Sequence, residues 1–97
     1  MANSYLSGNT IRLEAIFTDF SGTATNPDIV KFILYDYAHN KISELTLGTN
    51  NRLSTGIYYA DYTIPTDSSG KTFYYEFYGE IGGKPSLSRG EFKVSFI

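Results

Sequence analysis

The eleven residues Thr55-Gly56-Ile57-Tyr58-Tyr59-Ala60-Asp61-Tyr62-Thr63-Ile64-Pro65 constrain the fold more than any other stretch. Tyr58, Ala60, Tyr62 and Ile64 alternate with Ile57, Tyr59, Asp61 and Thr63 at the period of an extended chain. Aromatic and β-branched side chains fill it, as suits a pleated, half-buried surface. Gly56 can take a turn conformation closed to other residues. Pro65 lacks the N–H that a central ladder needs, so it ends the strand. This strand needs partners, and the remaining chain reads as a supply of them.

Thr10 to Thr18 alternate in the same way, with Ile11, Leu13, Ala15 and Phe17 on the inward face. Asp19-Phe20-Ser21-Gly22 reads as a turn and residues 23–27 as a loop. Residues 28–37 are apolar on both faces. A strand covered on two sides is favoured there over a helix capped at Asn26-Pro27-Asp28, because the run is short and β-branched. Ala38-His39-Asn40 reads as a turn. Lys41 to Leu47 reads as a weaker strand, polar enough to stay at a sheet edge, with Ile42, Leu45 and Leu47 as its inward candidates. Residues 48–54 read as polar turn. Residues 72–79 alternate again, Phe73, Tyr75 and Phe77 against Tyr74, Glu76 and Tyr78. Residues 79–89 read as a hairpin-type loop around Gly82-Gly83 and Pro85, and residues 91–97 as a last strand with Phe92, Val94 and Phe96 inward. Residues 1–9 are polar, with Tyr5 or Leu6 as the point of docking.

Six to seven strands with turns between them predict one all-β domain spanning residues 1–97, an antiparallel β-sandwich. Ninety-seven residues suffice for one hydrophobic core. The chain has no cysteine, which excludes disulfides and thiolate metal sites. A net charge of −2 argues against nucleic acid as a partner. No apolar run approaches the ~18 residues of a membrane span, and the N-terminus shows no signal peptide.

The residues give no catalytic, metal or cofactor site. His39 is the only histidine and lies in a turn. The aspartates fall near strand ends, without the dense ligand run of a calcium loop. Glu14, Glu76 and Glu91 are expected on outward strand faces as solvated or cross-strand-paired carboxylates. The outward aromatics carry more information. Ile33, Tyr35, Ile57, Tyr59, Tyr74 and Tyr78 point away from the main core, and together they are the candidate interaction surface.

Gly56-x-Tyr58, Tyr62-x-Ile64-Pro65, Gly70 with Tyr74 or Tyr75, and Gly90-x-Phe92-x-Val94 form a pattern. It resembles bacterial and phage immunoglobulin-like modules of the macroglobulin type. Gly8-x-Thr10-Ile11 and Asp19-x-x-Gly22 extend the likeness to the first half. Tyr58 then has two readings, a tyrosine corner with Ala60 in place of the core cysteine, or a plain core ring. The resemblance implies an immunoglobulin-like sandwich without enzymatic activity. It points to a virion accessory protein of head, neck or tail that binds other virion proteins or copies of itself. A module binding carbohydrate or a surface through exposed tyrosines is the alternative. The expected location is the virion or cytoplasm, or extracellular within a surface assembly.

Overall fold

A computed structural model describes residues 3–97. Among them the chain forms eight strands and no α-helix: β1 Asn3–Leu6, β2 Thr10–Ile16, β3 Ile29–Tyr35, β4 Lys41–Leu47, β5 Arg52–Ser54, β6 Ile57–Thr63, β7 Thr72–Ile81 and β8 Lys84–Ser95. One sheet has five strands in the order β1-β8-β7-β3-β4, and the other has three in the order β2-β6-β5. The expected all-β class holds, and residues 28–37 are strand, not helix. The two sheets share one core, as a sandwich requires: Ile11, Leu13, Ala15, Tyr58 and Ala60 from the smaller, Val30, Phe32, Leu34, Phe73, Phe77, Phe92 and Val94 from the larger. The period-two side-chain pattern predicts every one of these inward positions.

The core is built of rings in contact. Phe77 lies 5.1 Å from Phe32, and Phe73 stacks on Phe92 at 5.4 Å. Tyr58 meets Phe17 edge-on at 5.9 Å, a geometry that places the positive ring edge on the partner's negative face.

Several expectations are corrected, each for a local reason. Not every pairing is antiparallel, because β1 lies parallel to β8, Tyr5 opposite Val94. Eight strands replace six or seven because β1 and the three-residue β5 are short and polar, without an alternating apolar signal. Residues 79–89 are not a loop: only Gly82-Gly83 turns the chain, and β7 and β8 pair from Ile81↔Lys84 down to Thr72↔Lys93. Both glycines have positive φ, 60° and 75°, as a two-residue hairpin turn requires. Pro85 is tolerated in β8 because β1 pairs only with Phe92–Ser95, leaving the second edge of the earlier part unpaired.

Ile42 is not inward. A bulge opposite Leu34 and Tyr35 pairs those residues with Ser43 and Lys41 and skips Ile42, which is 47% exposed. Leu45 also stays largely exposed, and only Leu47 of that strand is buried. Phe96 continues the alternation but lies beyond the last ladder pair, and is 75% exposed. The edge position expected for β4 is observed.

Candidate functional site

Strand register divides the six candidate surface residues between the two sheets. Ile33 and Tyr35 of β3 stand beside Tyr74 and Tyr78 of β7 on the outer face of the larger sheet. Ile57 and Tyr59 of β6 lie on the outer face of the smaller sheet. The six therefore do not form one patch, and all are half-buried.

On the smaller sheet, neighbours occupy Tyr59. The Arg12 guanidinium carbon lies 3.9 Å from its ring centroid, and its hydroxyl donates to the Asn50 carbonyl at 3.1 Å. Arg12 also holds Asp61 through two bonds, Nε–H to Oδ1 at 2.7 Å and Nη2–H to Oδ2 at 3.0 Å. The direct hydrogen bond from Arg12 depresses the Asp61 carboxyl below its ordinary range. With a lower folded than unfolded pKa, the pair contributes above the ordinary aspartate value. Its contribution is lost as pH falls through the folded one. Denaturation midpoints of the parent and Asp61→Asn should therefore converge as the solution is acidified from neutral. A gap independent of pH would contradict the assignment.

On the larger sheet, three strands place four rows side by side. They run Tyr35–Tyr74–Glu91, Ile33–Glu76–Arg89, Lys31–Tyr78–Leu87 and Ile29–Glu80–Pro85. At one end Ile29 and Leu87 are exposed around Tyr78, whose hydroxyl donates to Glu80 at 2.9 Å. At the other end a cleft of about 360 Å³ opens among Tyr35, His39, Tyr74, Glu76 and Arg89.

Two features of this cleft follow from local structure. The Asp36–Asn40 turn is tied by the Asp36 carboxylate, whose Oδ1 accepts from the N–H groups of Ala38 and Asn40 at 2.9 Å. That turn holds His39 at φ +64°, in the left-handed region, with its ring stacked on Tyr74 at 4.2 Å. Of the three glutamates expected to be solvated or cross-strand-paired, Glu76 is the one that takes a cross-strand partner. Its side chain is only 10% exposed, and its Oε2 accepts from Arg89 Nε–H at 2.6 Å, while the Arg89 side chain is 69% exposed. Glu14 and Glu91 are exposed as expected. Arg89 and His39 were not among the sequence candidates. The signal for Arg89 was Gly82-Gly83, because Glu76 and Arg89 are equidistant from that turn.

A second cleft, about 310 Å³, lies between the Asp19–Gly22 turn and the β7–β8 hairpin. Phe20 stands at its lip, 98% exposed, with the Lys84 ammonium 5.9 Å from the ring. Asp19 Oδ1 fixes the turn by accepting from the N–H groups of Ser21 and Thr23.

Among the described residues no three histidine, aspartate or glutamate side chains cluster as metal ligands would, and no helix is long and apolar enough to cross a membrane. Comparison with protein-family models, with curated proteins and with solved structures finds no match.

Proposed function

We propose that the chain is an immunoglobulin-like interaction module without catalytic activity. Its setting is a phage virion, as a head, neck or tail accessory protein. It binds other virion proteins or copies of itself through the outer face of the larger sheet or along edge strand β4. The observation that carries this reading is the end of that face where exposed Ile29 and Leu87 lie around Tyr78 across three strands, with Lys31 and Glu80 between them. Apolar side chains around an aromatic ring are the composition of a contact core. Edge strand β4 offers the second contact mode, because a partner's strand could pair along its open side.

Strand order supports the immunoglobulin-like part of the proposal. Such domains place G, F, C and C′ in one sheet and B, E and D in the other. Taken in chain order, β8-β7-β3-β4 and β2-β6-β5 fill those places. Tyr58 then lies on the E strand, whereas the corner tyrosine belongs to F, which favours its reading as a core ring.

Size-exclusion chromatography with light scattering tests the proposal. The chain should run as a multimer, and Leu87→Glu should return it to the monomer by placing a charge inside the contact. A strict monomer that reproducibly binds glycans would displace this reading. Capsid, portal or tail genes beside its own are expected for the virion setting.

A further inference from the structure

We infer that the cleft among Tyr35, His39, Tyr74, Glu76 and Arg89 binds a neutral carbohydrate, one pyranose ring presenting adjacent hydroxyls. This goes beyond the protein-contact reading, which concerns the opposite end of the same face, around Ile29, Tyr78 and Leu87. The cleft's volume of about 360 Å³ lies within the range of small-molecule sites.

Its walls are of two kinds. One is aromatic: Tyr35, and Tyr74 with His39 stacked on it. Rings of this kind pack against the C–H faces of a sugar and offer polar atoms at their margins. The other wall is the Glu76–Arg89 pair. Arg89 gives only Nε–H to Glu76, so both its terminal NH₂ groups lack a partner among the described residues. Glu76 spends one carboxylate oxygen on that bond, and the second has no partner among the described residues. Among the described residues no buried side-chain oxygen or nitrogen is left unsatisfied, so this second oxygen touches solvent. A donor group and an acceptor thus stand side by side. A pair of adjacent hydroxyls, each donor and acceptor at once, satisfies both.

Charge selects against the other small ligands. The pair is neutral overall, and Glu91 stands opposite Tyr74 as a further carboxylate. Lys41, opposite Tyr35, is already engaged by Glu44 at 3.0 Å. An anion entering the cleft meets the Glu76 carboxylate, and a cation meets the Arg89 guanidinium. A neutral polyol avoids both penalties. The aromatic wall is also set in advance, because His39 is held at positive φ by the hydrogen-bonded Asp36 turn. Such a left-handed residue is common in the turn of a hairpin, and here it fixes the ring's position.

The test is an array of neutral and anionic glycans probed with the full chain. NMR titration with methyl glycosides of glucose, galactose, mannose and N-acetylglucosamine follows. A neutral glycan should bind and shift the His39 ring resonances in the unmodified chain, a readout that needs no variant. Arg89→Met and Tyr74→Leu should each weaken binding about tenfold or more. Tyr59→Leu, on the opposite sheet, should leave it unchanged. Absence of neutral-glycan binding at millimolar sugar overturns the inference. So does a preference for anionic glycans alone, or binding indifferent to both cleft variants. Light scattering on the same chain separates the two readings. A Leu87-dependent multimer without glycan binding removes only this inference, and a glycan-binding monomer removes only the earlier proposal.

Discussion

Replacing Phe77 by alanine should destabilise the protein by about 3–5 kcal/mol, the cost of removing a fully buried phenylalanine. The residue has no exposed surface and sits in the middle strand of the larger sheet, between Phe32 of β3 and Ser88 of β8. Its ring lies 5.1 Å from Phe32 and 6.1 Å from Tyr75. The loss therefore combines transfer of the ring to water with the cavity left behind. Flanking strands hydrogen-bonded on both sides limit collapse around that cavity, which favours the upper part of the range. Total stability for a domain of this size is about 5–15 kcal/mol, so the variant is expected near the edge of folding. Chemical denaturation reads the difference as a lower midpoint at an unchanged slope. Phe96→Ala serves as the control, because that ring is already in solvent and its loss should stay within about 0.5 kcal/mol. A loss below about 1 kcal/mol at Phe77 would mean that the ring is not in a packed interior.

That prediction needs only the alternation of side chains, and alternation was the legible part of this fold. It places Ile11, Leu13, Ala15 and Phe17, then Val30, Phe32 and Leu34, then Tyr58, Ala60 and Ile64, on the inside. What alternation does not report is where a ladder begins and ends. Phe96 obeys the period but outlasts its partner strand, and Ile42 is expelled by a bulge that leaves no mark on hydropathy. Pro85 makes residues 79–89 read as loop because the sequence does not show which edge of β8 lies unpaired. The candidate surface suffered from the same limit. Parity shows that Tyr59 and Tyr74 point outward, but not that they point outward from different sheets. The Glu76–Arg89 pair was within reach, since a two-residue Gly82-Gly83 turn fixes every pairing between β7 and β8. Treating residues 79–89 as one loop concealed it. His39 over Tyr74 was beyond reach, because it depends on a side-chain stack across a turn.

Gly56→Ala should approach the loss of a core ring in its damage, although it adds one methyl group and removes nothing. Gly56 leads into β6 at φ +77°, where an L side chain costs about 1–2 kcal/mol by itself. A Cβ built there falls 2.6 Å from the Phe17 carbonyl oxygen and 3.0 Å from the Thr25 amide nitrogen. Both are backbone atoms and cannot rotate aside. They are also engaged with each other, because Thr25 N–H donates to that same Phe17 carbonyl at 3.0 Å. Gly56 itself is tied at both ends. Its carbonyl accepts from Phe17 N–H at 2.7 Å, and its N–H donates to Asn26 Oδ1 at 2.7 Å. Relieving the contact means moving the glycine away from Phe17, which breaks the hydrogen bonds that join the end of β2 to the start of β6. Overpacking of this kind costs about 1–3 kcal/mol on its own, so the expected total is about 2–5 kcal/mol, reaching the loss of a core ring in its upper part. Gly22→Ala separates the two causes. It shares a positive φ of 85° but has nothing within 4 Å of its Cβ, so it should show only the conformational part, about 1–2 kcal/mol. Urea denaturation of the two variants beside the parent decides the matter. Equal losses would show that backbone conformation alone accounts for glycine at position 56, and that the close approach of β2 and the strand entry is not what requires it.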